Sequence, residues 1–230
     1  GATIAVVGGI GRFRGRPVVV VGQQRVRAAG DEVTRNFGMP RPEGYRKARR
    51  IMDLAERLGI PPLPLIDTPG AYPGIEAEER GLAAELAASL ARMSRLRTPI
   101  VTAIIGEGGS GGALALAVAD RVVMLEGAIY SVIAPEGAAT ILYRDATRAP
   151  ELSSKLKLTA SALIRLKIVD EIIAEPAIGP GSDPDSVAAA LSESIGYALA
   201  GLQGKRIDRI VNERFDRFAL RGRAATSWMR

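Results

Sequence analysis

Apolar positions along the chain follow two rhythms, one of period two and one of period three to four. Residues 3–7 and 17–21 are β-branched runs joined by a Gly- and Arg-rich stretch, 8–16, and predict a hairpin. Between Glu43 and Leu58 the apolar residues Tyr45, Ala48, Ile51, Met52, Ala55 and Leu58 recur at helical spacing, and Gly59 closes the helix. Pro61 and Pro62 lead into a strand over 63–66, which stops at the turn-rich loop Asp67-Thr-Pro-Gly-Ala-Tyr-Pro-Gly74. Leu82, Leu86, Leu90, Met93 and Leu96 predict one helix over 78–96, with Glu76, Glu78 and Glu79 near its positive end.

Residues 100–105 are continuously apolar, as in a strand covered on both faces. Then come Gly106-Glu-Gly-Gly-Ser-Gly-Gly112, an Ala-rich helix over 113–119, strands over 121–125 and 128–133, and a helix opening at Pro135. Beyond Arg144 the spacing is helical over 161–168, 184–202 and 206–220, with a loop over 179–183. Alternating strands and helices predict an α/β fold. A single domain over 1–230 is expected, with a core over 1–145 and a mostly helical part over 146–230.

Composition narrows the chemistry. Apolar residues make up 47% of the chain and aromatics only 4%, so the core must be close-packed from Ala, Val, Ile and Leu. Neither cysteine nor histidine occurs, which excludes disulfides, a Cys nucleophile, a Ser-His-Asp triad and most zinc sites. Proton transfer is left to carboxylates, Lys, Tyr, a cofactor or the substrate itself. The net charge of +6 suits solubility or an anionic small ligand. Arg206, Arg209, Arg214, Arg217, Arg221 and Arg223 crowd together and offer nucleic-acid binding as an alternative, but no aromatic platform alternates with the Arg-rich stretches. No run approaches the roughly 20 apolar residues of a membrane span, and the chain start lacks a signal's basic flank, so a cytoplasmic protein is expected.

The glycine stretch carries the strongest signal. Five glycines in seven residues, between a buried strand and a helix start, leave backbone N–H groups uncovered where the helix dipole favours an anion. Five in seven exceeds what packing alone asks of the stretch. A triphosphate loop would need Lys followed by Ser or Thr where Ala113-Leu114 stands. A dinucleotide-binding oxidoreductase fits better, with Gly106, Gly108 and Gly111 in G-x-G-x-x-G spacing and Glu126 twenty residues after Gly106, although the helix is short. The third reading is an oxyanion hole formed by the amides near Gly111 and Gly112, which needs no histidine.

Longer motifs carry a resemblance. Gly38-Met-Pro-Arg-Pro-Glu-Gly-Tyr-Arg-Lys-Ala48, the Asp67–Gly74 loop, Glu78-Glu-Arg-Gly81, Ile105-Gly-Glu-Gly-Gly-Ser-Gly-Gly-Ala-Leu-Ala115 and Tyr130-Ser-Val-Ile-Ala-Pro-Glu-Gly137 resemble the α subunits of bacterial acetyl-CoA carboxylase carboxyltransferases. The resemblance implies a crotonase/ClpP-like superhelix of stacked ββα units with C-terminal helices. It further implies transfer of the carboxyl group of carboxybiotin, borne on a biotin carboxyl carrier protein, to acetyl-CoA, giving malonyl-CoA for fatty acid biosynthesis. The partner would be a β subunit with a zinc ribbon and the acyl-CoA site, in an α2β2 assembly, with no metal in this chain and no activity from it alone.

Carried over by motif, the amides of Gly111 and Gly112 would stabilise the biotin oxyanion, with Gly70 or Ala71 lining the same pocket. Arg25 or Arg27 would hold the carboxylate of carboxybiotin, with Arg35 a weaker candidate. Gly108, Gly109, Tyr72 and Glu107 would belong to the cofactor site, and Asp67 would fix its loop by local hydrogen bonds. Gln23-Gln24 stands where the family pattern has a His before the Gln. A subunit of a malonyl-thioester decarboxylase remains an alternative of the same fold.

Overall fold

The computed structural model describes residues 5–25, 35–177, 179 and 181–224, the last four by backbone alone. Strands β1 (Val6–Phe13) and β2 (Arg16–Gln23) form an antiparallel hairpin in which Phe13 pairs with Arg16. Its two-residue turn, Arg14-Gly15, has φ of 48° and 79°, the left-handed pair that matches strand twist. The stretch 8–16, read as a turn, is therefore mostly strand. Gly8 permits this, because a Cβ there would sit 2.6 Å from the Val20 carbonyl oxygen.

Helix α1 (Pro42–Leu58) buries Tyr45, Ala48, Met52 and Ala55 and ends at left-handed Gly59. After β3 (Pro62–Thr68), the helix expected over 78–96 is two, α2 (Ile75–Glu79) and α3 (Leu82–Arg95), separated at Gly81 with φ 81°. Strand β4 (Val101–Gly109) absorbs most of the glycine stretch, and α4 (Ser110–Ala117) follows without a linker. Then come β5 (Arg121–Leu125), β6 (Ile129–Ser131), α5 (Pro135–Tyr143), α6 (Ala149–Lys155), α7 (Ala160–Arg165), β7 (Glu171–Ile173), α8 (Pro184–Leu202) and α9 (Ile207–Ala224).

The sheet order is β1-β2-β3-β4-β5-β7, parallel from β2 onward. Strand β4 changes partner along its length. Residues Val101–Ile104 pair with β5, whereas Glu107–Gly109 pair with β6. The far end of β4 thus extends past its pairing with β5 to meet β6 in the same sheet, and α4 packs back against β3 and β4. Val6, Val19, Ile104, Ala113, Leu116 and Ala119 meet in the core, where small side chains let helix and sheet approach.

The C-terminal helices are tied in by charge. Arg214, 1% exposed, donates two 2.8 Å bonds to Asp120 and three more to the carbonyls of Met93, Leu96 and Thr98. Arg217 grips Asp170 at 2.7 and 2.6 Å. Arg206 and Arg209 also face carboxylates, Asp208 at 3.8 Å and Glu213 at 2.6 Å. Arg214 and Arg217 fasten the last helix to the core, whereas Arg206 and Arg209 make exposed pairs with near neighbours in sequence; none of the four lacks a carboxylate partner. Among the described residues, no helix is long and apolar enough to cross a membrane.

Candidate active site at a strand to helix junction

The loop after β3 crosses the β4–α4 junction backbone to backbone. A Cβ on Gly109 would collide with the Pro69 carbonyl, and one on Gly112 would lie 2.5 Å from the Gly70 carbonyl carbon and closer still to the Ala71 amide. Gly106 faces the Asp67 carboxylate in the same way, and Gly108 faces the Tyr130 ring. Packing therefore accounts for four of the five glycines, more than the spacing alone suggested. Only Gly111 has room, with Leu86 at an ordinary 3.5 Å.

Close crossing leaves a set of amides without acceptors. Gly70 N–H is bonded to Thr68 Oγ1 at 3.2 Å, and Tyr72 N–H to the Pro40 carbonyl at 3.1 Å. Between them, Ala71 N–H makes no hydrogen bond among the described residues. Gly111 and Gly112 lie in the first turn of α4, where amides have no partner within the helix, and no side chain caps it. Ala71 and Gly111 are partly exposed, whereas Gly112 is buried. Of the four residues carried over, Gly111 and Gly112 as oxyanion donors and Gly70 or Ala71 as pocket lining, Ala71 and Gly111 thus combine an amide unbonded among the described residues with access. Gly70 and Gly112 supply the close approach.

Two residues that the motifs did not single out hold this junction. Gln23 Nε2 donates to the Gly112 carbonyl at 2.9 Å, and the Tyr45 hydroxyl reaches the same oxygen at 3.3 Å. Burial raises the Tyr45 pKa far above its ordinary value, so the phenol stays a donor. Thr68, wholly buried, links the loop to the preceding turn through contacts of 2.6 Å to the Gly38 carbonyl and 2.9 Å to the Gly70 carbonyl. A polar Gln closing an apolar strand was the available signal for Gln23; Tyr45 read simply as a helix core position.

The charged rim differs from the expectation. Arg25 is paired with Glu107 at 2.9 Å and with Asp67 at 3.8 Å, and its stem packs over Gly38, where φ is 78°. Its charge already has carboxylate partners. Asp67 Oδ1 also accepts from Glu107 N–H at 3.0 Å, so it braces the neighbouring strand as well as its own loop. Tyr72 lies under the Arg41 guanidinium, 4.7 Å from ring centre to carbon, and against Gly74. Arg35 donates to Gln24 at 2.8 Å. Arg27 lies outside the described residues.

The dinucleotide reading fails on backbone geometry. Its fingerprint glycines should form a cradle after the strand, yet Gly108 is inside β4, in register with Thr68 on one side and Tyr130 on the other.

Solved structures share this architecture. The transcarboxylase 12S core with methylmalonyl-coenzyme A superposes with a TM-score of 0.73 at 24% identity, over 88% of this chain and 37% of that one. A Pseudomonas malonate decarboxylase hetero-tetramer in complex with coenzyme A gives 0.74 at 19% identity, over 98% of this chain and 91% of that one. These likenesses define the fold class, α/β of the crotonase type.

Sequence relatives are much nearer. The acetyl-coenzyme A carboxylase carboxyl transferase subunit alpha of Thermus thermophilus is 55% identical over 214 residues, 93% of this chain and 69% of its relative. That of a Methylobacterium strain is 53% identical over 95% of this chain and 69% of its own length. A family model described as acetyl co-enzyme A carboxylase carboxyltransferase-like matches residues 2–222. The chain belongs to that family, as a carboxyltransferase subunit of the alpha type.

Proposed function

We propose that this chain receives carboxybiotin at the β4–α4 junction and, with a β subunit, transfers its carboxyl group to acetyl-CoA to give malonyl-CoA. The observation that carries this reading is the pair of partly exposed amides at Ala71 and Gly111, neither hydrogen-bonded among the described residues, brought to one junction by the close crossing of two backbones at Gly112. Such a pair suits an oxygen that gains negative charge, such as that of a biotin ureido group or an enolate.

Bound carboxybiotin would supply the carboxyl group and, once that has left, a basic ureido nitrogen. The residues of this chain do the rest. Ala71 and Gly111 donate to the ureido oxygen as charge builds on it. Gln23 and Tyr45 hold the Gly112 carbonyl, so the donors are oriented before the ligand arrives. Because no histidine exists in the chain, a proton acceptor supplied by the ligand fits the composition.

The remaining parts of the account are proposals from kinship. A biotin carboxyl carrier protein would deliver the ligand, a β subunit with a zinc ribbon would hold the acyl thioester, the assembly would be α2β2, and the site of action would be the cytoplasm. Reconstitution tests them. The chain mixed with a β subunit of the same family should form malonyl-CoA from acetyl-CoA and carboxylated carrier, and the chain alone should form none. Transfer by the chain alone, or none by the mixture, would overturn the proposal.

A further inference from the structure

Ser110 occupies a conformation that its side chain does nothing to favour. Its φ is 52°, in the left-handed region where glycine is at ease and an L residue is strained. The residues on both sides, Gly109 and Gly111, are glycines, so the local sequence already supplies the residue this backbone prefers. Of the other non-glycine residues with positive φ, Arg14 is in the hairpin turn, Arg144 and Lys167 follow the last turns of α5 and α7, where left-handed residues commonly end helices, Asn36 and Phe37 lie in a short 3-10 turn, and Lys157 lies between α6 and α7. Among the described residues, Ser110 is the one that opens an α-helix in this conformation.

No local structural role accounts for the hydroxyl. The cap position of α4 is Gly109, and no side chain caps the helix. Ser110 is exposed, and among the described residues its hydroxyl makes no hydrogen bond. It is also the sole side chain beyond hydrogen in 108–112, set between the glycine that abuts Pro69 and the glycine whose amide is free. Strain held at such a position calls for a use of the group that causes it.

We infer that the Ser110 hydroxyl is a third hydrogen-bond donor to the bound ureido group, beside the amides of Ala71 and Gly111, and that Ser replaces Gly here for that contact. The inference rests on the carboxybiotin reading above. It adds a rotatable donor to two fixed ones, one able to follow the ligand oxygen as its charge and distance change. Ser110 is also more exposed than Ala71 and Gly111, so an arriving ligand can reach its hydroxyl.

Two substitutions separate this role from a structural one. Ser110→Ala keeps the strain and removes the hydroxyl; Ser110→Gly removes both. With the β subunit present, both variants are expected to lose about tenfold or more in kcat for carboxyl transfer, the loss of one polarised donor, and to bind free biotin several-fold more weakly in calorimetry. Ser110→Gly should meanwhile unfold at the same or a higher temperature than the parent. If the parent transfers and binds biotin but both variants match it within twofold, the hydroxyl is idle and the inference falls while the carboxybiotin reading stands. A parent that neither binds biotin nor transfers with the β subunit would sink both. Lower stability of Ser110→Gly with activity lost in proportion to unfolding would instead make Ser110 structural and overturn the inference.

Discussion

The Gly112 α-carbon and the Ala71 amide sit so close that a methyl group on the first would overlap the second. This one contact ties the loop after β3 to the first turn of α4 and sets the spacing of the amides that the function needs. It also gives the two neighbouring glycines opposite tolerance. Gly112→Ala must push backbone against backbone, at a cost of about 1–3 kcal/mol typical of overpacking. Gly111→Ala meets only Leu86 at 3.5 Å, and within a helix alanine is favoured over glycine by roughly 0.5–1 kcal/mol. Urea unfolding of the two variants should therefore show a clear loss for the first and none for the second.

Arg214 is the other fixed point of the fold. Five hydrogen bonds satisfy its guanidinium, and Asp120, its carboxylate partner, also accepts from Ile100 N–H at 2.7 Å. Arg214→Met leaves that aspartate buried and unpaired, at a cost of about 3–5 kcal/mol. Adding Asp120→Leu should recover part of the loss, since an apolar pair carries no stranded charge. A single variant as stable as the parent would show the pair to be dispensable.

Acid should weaken the α1–α3 contact. Hydrogen bonding from Arg92 holds the Glu56 carboxyl below its ordinary 4.5. Burial works against the same shift at Glu85, but hydrogen bonds from Arg49 and Arg46 outweigh it. A carboxyl depressed in the folded state contributes stability above its unfolded value and loses it as pH falls through the folded one. The urea midpoint should hold steady above about pH 5 and drop toward about pH 3. Glu56→Gln should flatten that drop; an unchanged slope would remove Glu56 from the account.

Much of this was open to reading in the chain, for identifiable reasons. Helix α1 and strand β5 stand out because regular spacing and strong stops, Gly59 and Glu126, bound them. The split at Gly81 was hidden, since Leu82 to Leu96 keeps its period while the break precedes it. At the junction the motifs marked, spacing could not tell a glycine that packs from one that exposes an amide. That distinction depends on Pro69, Gly70 and Ala71, forty residues away along the chain and in contact only after β3 and β4 pair. The pairing of Arg25 was hidden for the same reason. Its neutralising partners, Asp67 and Glu107, come from two other strands.

The most direct test exchanges single amides for esters, lactic acid in place of Ala71 and glycolic acid in place of Gly111, leaving every side chain as it is. Each exchange deletes one N–H. With the β subunit present, either should reduce kcat for carboxyl transfer by about 10²-fold, as losing one oxyanion donor does elsewhere, while the folded fraction stays the same. Parental rates in both ester variants would contradict the claim that these two main-chain donors carry the chemistry.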